Sequence, residues 1–393
     1  MRGEWKTRPL GDVCRVIGGG TPSKGRPEFY GGTIPWATVG DMQVEMLSST
    51  VSRITEDAVG KSATNVIPAG SVVIATRVGL GKVCMLGQDT AINQDLRGII
   101  PLNRSQVSER YLFWWFKSIA DCIVAEGTGA TVQGVKVPFV KALSVPVPPP
   151  AEQQRIVGIL DKAFAAMSTA RENAEKNLRN ARALFESHLE SIFTQRGAGW
   201  MDKRLEEVGA TQTGSTPKTA DRDNYGNFIP FVKPADFNRD GSLDYKNHGL
   251  TEVGLSQARR VVAESVLMVC IGATIGKCGY CDRNIATNQQ VNALTPHNSA
   301  CYKFVYYQML TEDFQRRVLL SSGQTTLPII SKSKWGGLTL AIPSTVREQQ
   351  LIAAELDALR AETQRLESIY QRKLAALDEL KNSLLHQAFS GDL

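Results

Sequence analysis

Two stretches of the chain place apolar side chains in alternating steps of four and three, and this pattern predicts two long helices. The register is kept for over four heptads in residues 151–196 and again in residues 347–393. Such a seam is typical of a coiled coil. At 1.5 Å per residue, each stretch predicts a rod of about 60 Å. The first seam comprises Ile156, Leu160, Ala163, Met167, Ala170, Ala174, Asn177, Ala181, Leu184 and His188, and the second comprises Ile352, Leu356, Leu359, Thr363, Leu366, Tyr370, Lys373, Leu377, Leu380 and Leu384.

Two polar residues interrupt these seams. Asn177 and Lys373 stand at seam positions, where a polar side chain can fix the register at some cost in stability. The alternative is that both side chains lie at a solvated edge or face another subunit.

The remaining stretches, residues 1–150 and 197–346, alternate short β-branched runs with turns rich in Gly, Pro and Thr. Runs such as Ser71–Thr76 predict strands. An apolar face predicts one helix at Ser108–Ala125, and a matching pattern predicts its counterpart at about Ala300–Leu319. Each stretch therefore predicts a globule of mixed α/β structure, dominated by strands and loops.

The chain contains this order of signals twice. Residues of the first globule recur 195 positions later, and the offset becomes 196 in the helices. A repeated globule with a long helix suggests two equivalent tasks held at a fixed separation. The recurring residues are Trp5, Leu10, Val13, Thr21, Pro22, Tyr30, Gly31, Ile34, Pro35, Asp41, Lys82, Asn93 and Gln94.

Two matched seams in one chain favour pairing within the monomer. An antiparallel pair would place the two globules at opposite ends of one rod. A single seam considered alone would favour a homodimeric coiled coil instead.

Composition limits the class of protein. A chain of 393 residues predicts two or more domains. Its apolar runs are shorter than the roughly 20 residues of a membrane span, and its first residues lack the apolar core of a signal peptide. Seven cysteines, an odd number, then favour reduced thiols and a cytoplasmic protein.

The positive charge lies on the globules. Residues 1–150 hold 16 Lys and Arg against 12 Asp and Glu, and residues 197–346 hold 16 against 13. This excess fits a polyanionic partner, although many proteins without a nucleic-acid role share it.

Catalytic and metal-binding patterns are missing from the sequence. Gly81-Lys82 and Gly276-Lys277 lack the spacing and the hydroxyl residue of a phosphate loop, and no glycine fingerprint for a dinucleotide is present. Cys278 and Cys281 form a single C-x-x-C, which Cys270 and Cys301 could complete as a zinc site, but the first copy has no equivalent. We therefore expect no catalytic residue, no metal and no cofactor on this chain, which favours a recognition protein.

The order of several short motifs resembles a known family. A strand-rich globule carries Gly19–Ser23, Ile34–Trp36 and Asn93-Gln94, and Glu152–Val157 opens the long helix. The second copy repeats this order, and the chain ends in Ala388–Leu393. This arrangement resembles the DNA-specificity subunit of type I restriction-modification systems over essentially the whole chain.

The resemblance implies an α+β fold with a pseudo-two-fold internal repeat. Two mixed α/β target-recognition domains, at residues 1–150 and 197–346, would be separated by two long antiparallel coiled-coil helices at residues 151–196 and 347–393. Each globule would recognise one half of a bipartite, asymmetric site in double-stranded DNA. The helices would set the gap, since half-sites on one face of B-DNA lie about one turn, roughly 34 Å, apart.

The resemblance also implies partners. Two modification subunits would carry S-adenosylmethionine and methylate adenine, and restriction subunits that translocate and cut DNA would carry Mg²⁺ and ATP. The residues alone also allow a coiled-coil adaptor whose globules bind proteins, or an enzyme with an unrecognised site.

Polar residues in the predicted turns are the candidates for DNA contact. Most of the cations would hold phosphates and a few would contact base edges. Asn93-Gln94 and Asn288-Gln289 suit adenine, but identical residues should not recognise different half-sites, so a structural role is equally open. Segments that differ between the copies, such as Ala75–Leu80 and Cys270–Ile275, suit two different recognition surfaces. The candidates are Lys24, Arg26, Arg77, Lys82, Thr131 and Lys136 in the first globule and Lys218, Arg222, Lys233, Thr274, Lys277, Thr325 and Lys332 in the second.

Overall fold

The computed structural model describes residues 5–129, 133–323 and 327–393. Its contacts divide the chain into two units. Unit 1 comprises residues 1–175 and 372–393, and unit 2 comprises residues 176–371. Each unit thus combines one globule with a segment of both long helices.

In unit 1 the described strands form two larger sheets and one strand pair. The sheet orders are β2-β10-β7-β8-β4 and β5-β3-β9-β6, and β1 pairs with β11. The pairs β3/β9 and β4/β8 are parallel, and the other pairs are antiparallel. The elements are β1 Lys6–Pro9, α1 Leu10–Val13, β2 Cys14–Gly18, β3 Tyr30–Ala37, β4 Met46–Leu47, β5 Ser52–Ile54, α2 Glu56–Gly60, β6 Asn65–Ile67, β7 Val72–Ala75, β8 Val83–Leu86, β9 Thr90–Ile92, β10 Leu96–Pro101, α3 Glu109–Ser118, α4 Ala120–Ala125, α5 Val137–Ala142, β11 Ser144–Val147 and the start of α6 Pro150–Gln195.

Unit 2 repeats this plan in its described residues. The sheet orders are β13-β20-β17-β18 and β15-β14-β19-β16, and β12 pairs with β21. The elements are β12 Met201–Arg204, α7 Leu205–Val208, β13 Gly209–Thr213, β14 Tyr225–Val232, β15 Gly249–Leu250, α8 Glu252–Ser256, β16 Arg260–Val261, β17 Val266–Val269, β18 Cys278–Tyr280, β19 Ile285–Thr287, β20 Val291–Pro296, α9 Tyr302–Met309, α10 Glu312–Ser321, α11 Lys332–Gly336, β21 Thr339–Ile342 and α12 Val346–Ser390.

The single helix expected within each globule is in fact two helices. The segment Ser108–Ala125 is α3 and α4, separated at Ile119, and Ala300–Leu319 is α9 and α10. In the second case Thr311 accepts a hydrogen bond from the Phe314 amide and so caps a new helix. All residues from Tyr111 to Phe116 are buried, so α3 is covered on more than one face. Hydrophobic periodicity locates the helical segment but does not resolve the break.

The two long helices run antiparallel within each unit, as predicted. In unit 1, Arg171 pairs with Asp378, and Arg155 Nη2 donates to the carbonyl oxygen of Leu393 over 2.8 Å. In unit 2, Arg182 Nε lies 2.9 Å from Glu367 Oε2, and His188, later on α6, lies 2.8 Å from Glu355, earlier on α12. In unit 1 the contacting residue on α12 moves back along the chain as the residue on α6 advances, which is the antiparallel arrangement.

The predicted seam holds at the start of each helix and then drifts. Ile156, Leu160 and Ala174 are buried, but Asn177 is exposed, and so is Lys373 on the second helix. Of the alternatives that the sequence left open for these two polar residues, their exposure favours a solvated edge. An α-helix has 3.6 residues per turn, so a strict seven-residue pattern rotates away from a straight contact face.

A buried glutamine joins each globule to the first turn of its helix. Gln153 donates to the carbonyl oxygens of Gln106 (2.6 Å) and Pro148 (2.9 Å) and accepts from the Ser108 amide. Gln349 donates to Ser299 and Pro343 and accepts from the Cys301 amide. The middle residue of each Glu-Gln-Gln triplet is thus a structural contact that satisfies backbone groups beside the helix.

A carboxylate two turns further along the helix makes a second contact. Asp161 Oδ1 accepts from Arg110 Nε (2.9 Å) and Trp114 Nε1 (2.8 Å). Its counterpart Asp357 accepts from Lys303 Nζ (2.5 Å) and from the Tyr307 hydroxyl (2.6 Å). The partner residues differ between the copies, but each pair consists of one cation and one aromatic donor.

In the described part of the chain, no helix is both long enough and apolar enough to cross a membrane. The same residues contain no group of three or more His, Cys, Asp or Glu placed to hold a metal ion. The four cysteines considered for zinc do not belong to such a group.

Most of the cysteines are buried free thiols. Burial raises the pKa of Cys14, Cys84 and Cys270 to about 12. Because the thiolate is the reactive form, these groups stay protonated and unreactive near neutral pH. Cys122 is exposed.

We expect Gln349→Ala to destabilise unit 2. The substitution removes the partner of the Ser299 and Pro343 carbonyls and of the Cys301 amide, at about 1–3 kcal/mol. For a unit of this size the midpoint of thermal unfolding falls by roughly 2–12 °C. Circular dichroism measures the shift, and Gln350→Ala is the matched control because Gln350 is exposed. Equal effects of the two substitutions would contradict the role of Gln349.

We expect Cys122 to react first with a thiol reagent such as Ellman's reagent at pH 8. The five buried cysteines react only when the protein unfolds, because their thiolates form well above that pH. Cys122→Ser removes the fast phase. A fast phase of unchanged amplitude in that variant would show that thiols other than Cys122 react in the folded protein.

Candidate nucleic-acid interface

A hydrogen-bonded frame holds the glycine-rich loop in each globule. The Thr21 hydroxyl donates to Gln94 Oε1, and in the second copy Thr216 donates to Gln289 Oε1 over 2.5 Å. The Tyr30 hydroxyl donates to the carbonyl oxygen of Pro22 over 2.7 Å. The repeated Thr-Pro and Asn-Gln motifs thus hydrogen-bond within each globule and hold its loops together.

The repeated asparagine positions the residue two places after it. Asn93 Nδ2 donates to Asp95 Oδ2 over 3.1 Å, and Asn93 Oδ1 accepts from the Asp95 amide. Asn288 makes the same two bonds to Gln290, with its Nδ2 at 2.9 Å from Gln290 Oε1. The same pair of hydrogen bonds thus holds an acidic side chain in one copy and an amide side chain in the other.

Asp95 also holds the base of a loop that protrudes from the sheet. Its carbonyl oxygen accepts from the amides of Thr76 (2.8 Å) and Arg77 (3.3 Å). At the tip, Val78 has a φ of 45° and is 52% exposed. A β-branched residue with positive φ is strained. The hydrogen bonds at the base of the loop hold Val78 in this conformation.

The corresponding loop of the second globule is one residue longer. Cys270 takes the place of Thr76, because its amide donates to the carbonyl oxygen of Gln290 over 2.7 Å. Arg77 forms a bridge with Gly134, and Ile271 forms the equivalent bridge with Ile329. Arg77 therefore corresponds to Ile271, and the offset is 194 here although the fixed spacing of the motifs suggests 195.

The described candidates of the first globule lie on loops or at a helix start. Lys24, Arg26, Arg77 and Lys136 are exposed, and Lys82 is partly buried. The Arg26 guanidinium lies 5.3 Å from the centre of the Phe29 ring. Arg77 is joined to the segment leading to Lys136, because the Val135 amide donates to the carbonyl oxygen of Thr76 over 2.9 Å.

The described candidates of the second globule are less uniform. Lys218, Arg222, Thr274 and Lys332 are exposed. Lys233 lies 5.6 Å from the centre of the Phe231 ring. Lys277 Nζ donates to the carbonyl oxygen of Phe237 over 2.7 Å, so this cation already has a partner within the protein. The remaining candidates, Thr131 and Thr325, lie outside the described residues.

Sequence reasoning missed two positions beside the Arg77 loop, Asp95 and Arg97. In the first globule Asp95 Oδ1 lies 3.6 Å from Arg77 Nη1, and Arg97 Nη1 donates to the carbonyl oxygens of Gln94 (2.8 Å) and Leu96 (2.6 Å). Burial lowers the pKa of Arg97, Asp95 raises it and Arg77 lowers it. The signal in the sequence was the residue pattern Asn-x-Asp-x-Arg, which reads Asn-x-Gln-x-Asn in the second copy.

The chain matches one family model and several curated proteins. A family model described as type I restriction modification DNA specificity domain matches residues 2–177 and 198–373. The chain is 33% identical over 198 residues to the EcoR124I/EcoR124II specificity subunit of Escherichia coli, covering 49% of this chain and 48% of that protein. It is 26% identical over 249 residues to the MjaIX specificity subunit of Methanocaldococcus jannaschii, covering 58% of this chain and 57% of that protein. The chain thus spans about half the length of these curated relatives.

Two solved structures share the fold. One belongs to work on complex assembly and conformational transition of the type I R-M system, with a TM-score of 0.76, 21% identity, and coverage of 99% of this chain and 98% of that chain. The other is the HsdS subunit of Thermoanaerobacter tengcongensis, with a TM-score of 0.64, 21% identity, and coverage of 100% and 98%. Because the family model covers both copies of the repeat, the chain belongs to the type I restriction modification DNA specificity domain family.

Proposed function

We propose that this chain is a non-catalytic subunit that recognises a bipartite, asymmetric sequence in double-stranded DNA. Each globule recognises one half-site, and the two long helices set the gap and dock two modification subunits. The observation that carries this proposal is the duplicated frame, which presents different side chains in the two copies. Two half-sites of different sequence require that combination.

The chemistry of the assembly belongs to the partners in this proposal. The modification subunits bind S-adenosylmethionine and methylate adenine, and restriction subunits supply Mg²⁺- and ATP-dependent translocation and cleavage. The similarity of this fold to a chain from a type I R-M assembly supports such partners. The exposed cations on the loops of both globules support contact with phosphates.

Methylation profiling tests this function. Cells that express the chain with a modification subunit should carry methyladenine in one bipartite motif, and cells lacking the chain should not. Purified complex should bind DNA with an affinity that falls steeply as salt rises, because each phosphate contact releases counterions. A protein-binding adaptor would show no bipartite motif and no salt-dependent DNA affinity, and that result would refute the proposal.

The role of the helices predicts a change of gap without a change of half-sites. One heptad inserted after Glu175 in α6 and one after Gln371 in α12 leave the pairing within each unit intact. Each insertion adds about 10 Å, close to the rise of three base pairs. Methylation profiling should then find the same half-sites with a longer gap, whereas insertion of the same heptads into a surface loop should leave the gap unchanged. An active variant with the original gap would exclude a spacing role.

A further inference from the structure

Three positions beside the repeated Asn-Gln motif are charged in the first globule and uncharged in the second. The first globule has Arg77, Asp95 and Arg97 there. The second has Ile271, Gln290 and Asn292. The backbone that presents them is the same, since Arg97 and Asn292 occupy equivalent places in β10 and β20, opposite Gly18 and Thr213 respectively.

The charged set in the first globule is built to orient one guanidinium. Asp95 is fixed by Asn93, and its side chain is 15% exposed, whereas the Arg77 side chain is 51% exposed. An ion pair this open to solvent contributes little to stability. Its effect is therefore to direct Arg77, whose planar group keeps further N–H donors free on its other edges.

The aliphatic part of the Arg77 side chain is confined as well as its guanidinium. A Cβ added to Gly134 would stand 2.9 Å from Arg77 Cγ, so the glycine leaves the space through which this side chain passes. Behind the pair, Arg97 is partly buried and occupied by two backbone carbonyls. The cluster keeps a net charge of +1, and Arg77 is its most exposed cation.

The second globule presents an apolar surface at the equivalent place. Ile271 bridges Ile329, which is 47% exposed, and Gln290 replaces the acid that an arginine would need. The arginine and its orienting acid are thus present together in one copy and absent together in the other. A residue that only held the phosphate backbone would have no reason to differ in this paired way.

We propose that Arg77, oriented by Asp95, recognises a guanine in the first half-site. This inference rests on the proposed function and adds the base and the residue. Arginine donates two hydrogen bonds to the O6 and N7 atoms of guanine in the major groove, a pattern that no other base edge offers. Asp95 is a positioning residue, and the second globule has no equivalent pair.

Methylation profiling of the Arg77→Ala complex tests the proposal. Wild-type protein should require guanine at one position of the first half-site, and the variant should accept other bases there, with the second half-site and the gap unchanged. Discrimination at that position should fall by about 5- to 150-fold, the range for one bidentate contact. Arg77→Lys should lose most of this discrimination, because an ammonium group cannot form the paired contact.

Asp95→Asn tests the orienting role. Discrimination at the same base pair should fall, thermal unfolding should stay unchanged, and the double variant with Arg77→Ala should be no worse than Arg77→Ala alone. Ile271→Ala is the matched control and should leave the first half-site intact.

The remaining outcomes separate a base contact from a phosphate contact. If Arg77→Ala weakens binding to all sequences equally and lowers the salt slope by about one, Arg77 contacts a phosphate and the inference is wrong. An unchanged motif in Arg77→Ala overturns it as well. Absence of any bipartite motif with the wild-type chain would instead refute the proposed function.

Discussion

Each globule is fixed to the start of its helix by a buried amide and a partly buried carboxylate, and the other features of the fold depend on this attachment. Gln349 is fully buried and Gln153 nearly so. Each hydrogen-bonds backbone groups of the globule beside the first turn of the helix. Asp161 and Asp357 then fix the rotation of the globule about the helix. A globule keeps a defined position on a helix only if it cannot rotate about that helix.

The attachment also accounts for how the cores are built. Ile156 and Leu160 of α6 pack into the core of the first globule, with Leu385 and Ala388 of α12. Leu189 and Leu356 do the same in the second globule. The helices therefore contribute to the globular cores and also pair with each other, and a globule cut off from its helix segments would expose apolar surface.

The two copies separate a constant frame from variable side chains. Thr-Gln and Asn hydrogen bonds recur with the same geometry and hold the loops. Beside them, an arginine with its orienting aspartate in one copy is replaced by an isoleucine and a glutamine in the other. Duplication within one chain thus supplies an internal comparison, in which repeated residues are structural and differing residues are candidates for recognition.

The sequence by itself determined the duplication, the two long helices, their antiparallel pairing and the strand-rich character of the globules, because these follow from repeated residues and hydrophobic periodicity. It also placed Arg77 on an exposed loop, since glycines marked the turn. Only the tertiary structure decided where the helices break, which face of each long helix remains covered, and that Arg77 corresponds to Ile271. These depend on helix caps, on the difference between 3.5 and 3.6 residues per turn, and on hydrogen bonds between distant segments. The pattern Asn-x-Asp-x-Arg contained Asp95 and Arg97, but only the folded sheet shows that both lie beside Arg77.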